Sequence, residues 1–418
     1  MSDKVKMNSR LFSNTIMLYI LTFSNYLFNF ITVPYQTRVL GPIIYGKIGF
    51  AVSLMIYFQL FLDFGFLLSA TEEVAQHRDD PKRLSHIFTC VSACKLLLIL
   101  LSSIVLLFLC SSVGRFKEDV SLYVLYFISI AVNSFLPDFL YRGLEEMKAI
   151  TIRTVLIKLF FTLMIFLCLR QKEQYLIIPI LNVIGNSGAL LGVYWHLNKK
   201  MGITLCGVKI KDILEALKRS SFFFYSRIAS TIYSATNTFI LGIFYGTESP
   251  VVGYYTSADK LITTGKQAIS PVTDSLYPYM VKNKDFKLIK KILIIFLPIL
   301  TIGCIIVAVF AEPICVLLFG KAFRGAGTYL RLLAPVVWCA FPGMLFGFPV
   351  LSPVGLANYA NISNVIGAAI QIIQLIILFA LGIFSAKTVA IITCVTEILT
   401  VAFRIGVVVH FRDRYKWD

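Results

Sequence analysis

The feature that most constrains this chain is a series of apolar runs, each about 20 residues long, separated by short polar segments. A helix of that length spans the roughly 30 Å hydrocarbon core of a bilayer. Backbone polar groups in that core must be hydrogen-bonded within the protein, and a helix meets this need within one run. The series therefore predicts an all-α integral membrane protein.

Twelve such runs can be counted, and the composition, with 58% hydrophobic and only 15% charged residues, excludes a soluble core with a polar shell. The runs lie near residues 11–34, 43–68, 87–111, 120–141, 150–169, 174–197, 220–245, 251–280, 290–318, 326–350, 356–383 and 387–411. The eighth run is the most polar, because it contains four charged side chains. It is retained because the alternation of loop charges along the chain requires a crossing there.

The loops between the runs differ in charge. If the N-terminus is cytoplasmic, the cytoplasmic segments hold 23 Lys and Arg residues and the opposite segments hold 8. This split predicts that both termini are cytoplasmic. The net charge of +17 is dispersed over these segments instead of forming one basic patch, so we expect anionic membrane lipid as a partner and no nucleic acid.

The longest basic interval, residues 198–219, divides the chain into an N-terminal lobe, 1–197, and a C-terminal lobe, 220–418. A shift between the halves that places Asn29 on Asn237 also aligns the polar stripes of the first and seventh helices. Both halves start on the same side of the membrane. We therefore expect two six-helix lobes related by pseudo-two-fold symmetry around a central cavity.

Polar side chains of these helices are the candidate substrate contacts. Those of the first and seventh helices are Asn25, Asn29, Arg227, Ser230 and Asn237. Lys260 and Lys266 are candidates from the eighth helix, because a lysine in hydrocarbon costs about 3 kcal/mol unless it faces water or a partner. No acidic residue lies one turn from Lys266 on its own helix, which favours the cavity. Arg227 could instead extend its side chain to the membrane surface.

Two carboxylates are candidates for ion coupling. Asp63 could carry a proton or a cation, or it could be a hydrated carboxylate at a helix end. Asp259 could have the same role, or it could neutralise a cation of its own or a neighbouring helix. The four histidines lack metal-ligand spacing and the chain has no phosphate-binding glycine loop, so we expect neither an enzyme nor a metal or cofactor site.

Three segments resemble one family of membrane proteins, and a fourth is similar to a segment widespread in its superfamily, so that the resemblance extends over nearly the whole chain. They are YGKIGFAVSLMIYFQLFLDFGFLLSATEEVAQHRDD at 45–80, DFLYRGLEEMKAIT at 138–151, the polar start of the second half at 220–279, and EPICVLLFGKAFRGAGTYLRLLAP at 312–335. The second departs from the family pattern, with Phe139 and Arg142 where Trp and Gln are usual. The family is that of the O-antigen repeat-unit flippases (Wzx type), in the multidrug/oligosaccharidyl-lipid/polysaccharide exporter superfamily.

The resemblance implies a bacterial inner-membrane flippase for an undecaprenyl-pyrophosphate-linked oligosaccharide, with an O-antigen polymerase and a chain-length regulator as candidate protein partners. A cationic, polar cavity suits this substrate, because a pyrophosphate requires positive charge and sugars require hydroxyl and amide groups. One alternative is a cation-coupled drug antiporter of the same superfamily, whose cavity should favour acidic and aromatic side chains. Another is a non-transporting scaffold of the O-antigen assembly machinery.

Overall fold

The computed structural model describes the backbone of residues 2–415 and the side chains of residues 16–415, except for residues 25, 26, 226, 229, 230 and 232–234. Every regular element in this part of the chain is helical, and no β-strand occurs in it. The predicted all-α class is confirmed.

The helices longer than ten residues are numbered here in chain order. They are α1 (Ser2–Asp63), α2 (Phe66–Gln76), α3 (Pro81–Ser112), α4 (Val120–Ser134), α5 (Met147–Cys168), α6 (Ile177–His196), α7 (Ile210–Tyr245), α8 (Pro250–Asn283), α9 (Phe286–Val309), α10 (Ala326–Leu345), α11 (Ala357–Ala380) and α12 (Ala386–His410). Shorter helical pieces are Gly114–Lys117, Asp138–Gly143, Lys172–Gln174, Leu197–Met201, Ala311–Phe319, Lys321–Phe323, Phe348–Leu351, Ser352–Val354 and Arg412–Arg414.

The first two predicted helices are joined in α1, which bends at Gly41. This residue has φ 70° and ψ 172°, a conformation that glycine adopts readily and residues with a Cβ seldom adopt. Pro42 follows, and its fixed φ suits the first turn of a new helix. The bend falls between the predicted runs 11–34 and 43–68, so that boundary is confirmed.

Polar side chains at the first turn begin four of the other helices. The residues whose side chains accept backbone N–H bonds there are Asp80 for α3, Ser249 for α8, Asp285 for α9 and Ser385 for α12. Each cap satisfies an N–H group that has no partner within the helix, which contributes about 1 kcal/mol. These caps therefore fix where the helices begin.

Nine helical segments in the described part of the chain are long and apolar enough to cross a membrane. The first of them includes both arms of α1, whereas α8 is not among the nine and α7 contributes only the shorter apolar segment Ala235–Tyr245 among the described residues. Both α7 and α8 are nonetheless continuous helices, of 36 and 34 residues. Each of the twelve predicted runs thus corresponds to a helical segment.

Several predicted boundaries are wrong. The runs 43–68, 120–141, 290–318 and 326–350 each contain the end of one helix and the start of another, because α1, α4, α9 and α10 end at Asp63, Ser134, Val309 and Leu345. The seventh helix starts before residue 220, since α7 already begins at Ile210. The carboxylate of Asp212 accepts a hydrogen bond from the backbone N–H of Lys209 at 3.1 Å, which stabilises this earlier first turn.

The chain packs into two compact units. Unit 1 comprises Met1–Leu40 and Ala51–Thr231, and unit 2 comprises Gly41–Phe50 and Ile232–Asp418. Unit 1 has a core that includes Phe66, Phe88 and Leu140, and unit 2 has one that includes Met280, Phe341 and Leu351. The lobe boundaries at residues 197 and 220 and the cavity between the lobes stay predictions.

Within unit 2, the second arm of α1 approaches the first turn of α8 closely. A Cβ on Gly46 would lie 2.7 Å from the backbone nitrogen of Gly253, and a Cβ on Gly253 would overlap the carbonyl oxygen of Pro42. Both positions therefore require glycine. The contact supports the N-terminal end of the helix that carries Asp259, Lys260 and Lys266.

Candidate functional site

The candidate site lies in unit 2, where the polar face of α8 meets α12. Lys266 forms an ion pair and hydrogen bond with Glu397, whose side chain is 11% exposed, while that of Lys266 is 24% exposed. The sequence prediction found no acidic partner for Lys266 because the partner comes from another helix. The two largely buried side chains stabilise each other, since removing either would leave the other without its main charged partner among apolar helices.

Asp259 and Lys260 lie nearly two turns closer to the start of α8. Asp259 interacts electrostatically with Lys266 and Lys260, and it lies near the buried ring of Tyr45. The side chains of Asp259 and Lys260 are both half-buried. The polar face of α8 therefore carries charges of both signs and not a row of lysines alone, and α12 supplies a further carboxylate.

A hydrogen-bonded network of neutral side chains extends the site towards α7 and α11. Asn237 donates to the Thr393 hydroxyl at 2.9 Å and accepts from the Gln371 amide at 2.8 Å. The Thr396 hydroxyl lies 2.6 Å from the side-chain amide oxygen, Oε1, of Gln371. The network thereby reaches α12 next to Glu397. Asn237 and Gln371 are buried, so these bonds satisfy amide groups that would otherwise be costly in an apolar core.

Arg404 continues the polar face of α12 beyond Glu397. Its Nε donates to the hydroxyl of Ser363 at 2.8 Å, its Nη2 donates to the amide oxygen of Asn364 at 2.7 Å, and its Nη1 donates to the carbonyl oxygen of Gly343. These three bonds hold the planar guanidinium in one orientation.

The guanidinium of Arg404 lines a cavity of about 640 Å³. Other polar groups of the wall are Asn364 and, from α8, Ser270, Thr273, Asp274 and Tyr277. The ring of Tyr277 meets that of Phe348 edge to face, with centroids 6.1 Å apart. The cavity thus combines a fixed cation, hydroxyl and amide groups, a carboxylate and an aromatic pair. Such a set can bind an anionic group and neighbouring sugar hydroxyls.

In unit 1 the structure brings together two other predicted residues, Asp63 and Arg227. The Nη1 atom of Arg227 lies 3.8 Å from Oδ2 of Asp63, and Lys95 is a second cation close to this carboxylate. Lys95 is buried, donates to the backbone carbonyl of Ser134 and lies over the ring of Phe139. Asp63 is therefore part of a charge cluster, although it was considered alone in the sequence.

The remaining predicted contacts lie on α1 and α7. Asn29 is half-buried in unit 1, and Asn237 belongs to the network in unit 2. The side chains of Asn25 and Ser230 lie outside the described residues. That Asn29 and Asn237 are equivalent across one central cavity stays a prediction.

Sequence reasoning missed two charged residues of the site, Glu397 and Arg404. Both lie in the apolar run 387–411, and an ionisable residue in such a run is a signal for a functional or paired position. The same test that selected Lys266 would have found them. Their spacing of seven residues, about two helical turns, places them on the same face of α12.

The buried polar site among long apolar helices defines the class of this molecule, a multi-pass α-helical membrane protein. A family described as "Polysaccharide biosynthesis protein" matches residues 11–284, and the chain belongs to this family. The match covers well over half of the chain. The family resemblance that was predicted from the sequence is thereby confirmed.

Two curated relatives are each named "Putative O-antigen transporter". The one from Escherichia coli (strain K12) is 24% identical over 377 residues, which cover 88% of this chain and 89% of the relative. The one from Shigella dysenteriae is 26% identical over 324 residues, covering 76% and 80%. Both relatives thus match this chain over most of their own length.

Two solved structures have a similar fold. A multidrug resistance MATE family transporter of the MOP superfamily in an inward-facing conformation has a TM-score of 0.69 at 16% identity, covering 96% of this chain and 99% of its own. The lipid II flippase MurJ in an inward closed conformation has a TM-score of 0.67 at 13% identity, covering 95% and 87%. At these identities the likeness establishes the fold alone.

Proposed function

We propose that this protein is an inner-membrane flippase that moves undecaprenyl-pyrophosphate-linked O-antigen repeat units from the cytoplasmic to the periplasmic leaflet by alternating access. The observation that carries the proposal is the cavity of unit 2, where the guanidinium of Arg404 is oriented by hydrogen bonds to Ser363, Asn364 and Gly343 and lies beside hydroxyl, amide and aromatic groups. Membership of the polysaccharide biosynthesis family and two relatives named as O-antigen transporters support the substrate class.

The chemistry of the cavity matches the head of such a substrate. A pyrophosphate offers several anionic oxygens, and a guanidinium can bind two of them at once. Sugar hydroxyls both donate and accept, so they suit Asn364, Ser270 and Thr273. The site lies near the end of α8 that the loop charges predict to be cytoplasmic, which is the side where the lipid-linked unit is made.

The Lys266–Glu397 ion pair offers a reversible step for the conformational cycle. A pyrophosphate close to Lys266 would compete with Glu397 for the ammonium group, because both are anions in surroundings of reduced dielectric. Loading of the substrate would then weaken the contact between α8 and α12. In this proposal Lys266 acts as a switch, with Arg404 as the main anchor of the head group.

Complementation of a flippase-null strain tests the proposed function. The wild-type chain should restore surface O-antigen, and Arg404→Ala at matched membrane levels should leave lipid-linked repeat units on the cytoplasmic leaflet. Failure of the wild type to restore export in a strain that supplies its cognate repeat unit would refute the flippase assignment. A wild-type chain that instead confers resistance to cationic drugs would indicate the antiporter alternative.

A further inference from the structure

Unit 1 contains a second large cavity, a groove of about 600 Å³ between α5 and α6. Its wall on α5 is formed by aliphatic and aromatic side chains, among them Ile152, Leu156 and Phe160. The wall on α6 includes Gly185, Gly188 and Gly192. Most of the groove is therefore apolar, in contrast to the cavity of unit 2.

Packing within the chain does not explain the glycines at two of these positions. A Cβ added at Gly188 or at Gly192 would meet no other atom within 4 Å. Glycine in the middle of a helix is destabilising relative to alanine, because it loses more backbone entropy on folding. These two glycines leave one wall of the groove open along about one turn of α6.

One end of the groove is cationic. Arg153 and His196 line it where α5 begins and α6 ends. The Arg153 side chain is 11% exposed and lies 2.8 Å from Asp138, while its Nε–H has no hydrogen-bond acceptor among the described residues. The exposed Lys199 and Lys200 follow His196 by about one turn. An apolar groove with a cationic end is complementary to an amphiphile with an anionic head.

We propose that this groove binds the polyprenyl chain of the lipid-linked substrate, with the diphosphate at the Arg153 end, in a bound state separate from the one in which Arg404 holds the head group. The inference rests on the proposed function, because it assigns a site to the part of the substrate that cannot enter a polar cavity. Gly188 and Gly192 lie about 6 Å apart along the helix axis. The open space above these two glycines can admit the methyl branches of an isoprenoid chain.

A second copy of the chain is a weaker candidate for the groove. The spacing of Gly188 and Gly192 is that of helix pairs packed through small residues. In a dimer with its two-fold axis along the membrane normal, however, the cationic ends of the two grooves would lie at the same depth in the membrane. Like charges would then approach each other, which disfavours the dimer.

Binding of undecaprenyl diphosphate without sugars to the purified full-length protein tests the inference, with native mass spectrometry as the readout. The variant Gly188→Leu/Gly192→Leu fills the groove at positions with room for a side chain. Gly303→Leu is the matched control, because Gly303 on α9 also has open space at its Cβ position. We expect binding at least tenfold weaker in the groove variant and unchanged binding in the control.

Photolabelling of the wild type provides a test that does not depend on a variant. A photoreactive polyprenyl diphosphate should label peptides from α5 and α6, and phosphatidylglycerol in excess should not displace it. Unchanged binding by the folded groove variant, labelling confined to other helices, or equal displacement by phosphatidylglycerol would each overturn the inference. So would a dimeric wild type that becomes monomeric in the groove variant.

The groove assignment and the flippase assignment can fail independently of each other. If the wild type restores O-antigen export but the groove variant binds the polyprenyl probe normally, the groove assignment fails and the flippase assignment stands. If the wild type does not restore export in a strain with its cognate repeat unit, the flippase assignment fails whatever the probe binds.

Discussion

The two cavities have similar volumes, about 600 Å³ in unit 1 and about 640 Å³ in unit 2, and different linings. The groove of unit 1 is aliphatic and glycine-lined with charge only at one end, whereas the cavity of unit 2 combines charged, amide and hydroxyl groups with apolar and aromatic side chains. A lipid-linked oligosaccharide has both an apolar chain and a polar head. The two proposals accordingly assign the apolar chain to the groove and the polar head to the cavity.

The largest expected effect concerns the ion pair that stabilises the polar site. Lys266→Ala or Glu397→Gln alone should lower the free energy of unfolding by about 3 kcal/mol, because each leaves a charge without its main partner in an apolar core. The double variant Lys266→Leu/Glu397→Leu should lose less than about 1 kcal/mol. Thermal and denaturant unfolding in detergent would measure the difference.

The same double variant decides between structural and functional roles for this pair. It keeps the fold and removes the proposed switch, so we expect export to fall strongly at normal protein levels. Full export by the double variant would show that the pair only stabilises the polar site. The head group would then depend on Arg404 alone.

Arg404→Ala should reduce export at least tenfold, because the anchor for the anionic head is lost. Arg404→Lys should retain part of the activity, since the charge remains but the planar fork that reaches Ser363 and Asn364 does not. Arg331→Ala is a suitable control, because Arg331 is another arginine of unit 2 and donates to the exposed carbonyl oxygen of Ala308 at 2.9 Å. Equal losses in the Arg404 and Arg331 variants would argue against a specific anchor.

Leu156→Asn should reduce export about threefold, because an amide in the groove wall weakens contact with an apolar chain by roughly 0.7 kcal/mol. Leu163→Asn is the matched control on the same helix, since Leu163 has a similar exposure, 55% against 59%, and does not line the groove. Initial rates of O-antigen surface display would compare the two variants. If both variants lose the same activity, the groove has no special role.

The smallest expected effect follows from removing Arg219, one of two arginines that pair with Glu73 in unit 1. The other is Arg83, at 2.9 Å. The two arginine side chains are 43% and 48% exposed, so solvent screens the pairs. Arg219→Ala should change the free energy of unfolding by less than about 1 kcal/mol and should leave export unaffected. A large loss of export would mean that the basic interval 198–219 has a role in transport.

Several parts of the fold could be predicted because they depend on local sequence. Apolar runs of sufficient length predicted the helices, and the gap between the runs 11–34 and 43–68 predicted the break between the first two. The early start of α7 was not predictable from hydropathy, because the segment 210–219 is basic. Its helix is stabilised by the Asp212 cap and by burial of Ala216, which are contacts of the folded chain.

The candidate site, like the fold, has parts that depend on local sequence and parts that depend on how the helices pack. The sequence alone determined that Lys266, Asp259 and Asn237 would be polar groups among apolar helices, because each side chain is read directly from an apolar run. Only the tertiary structure decided that Glu397 neutralises Lys266, that Gln371 and Thr393 satisfy Asn237, and that Arg404 lines a cavity. The physical reason is that helix periodicity fixes which residues share a face, whereas the partner of a face depends on how separate helices pack.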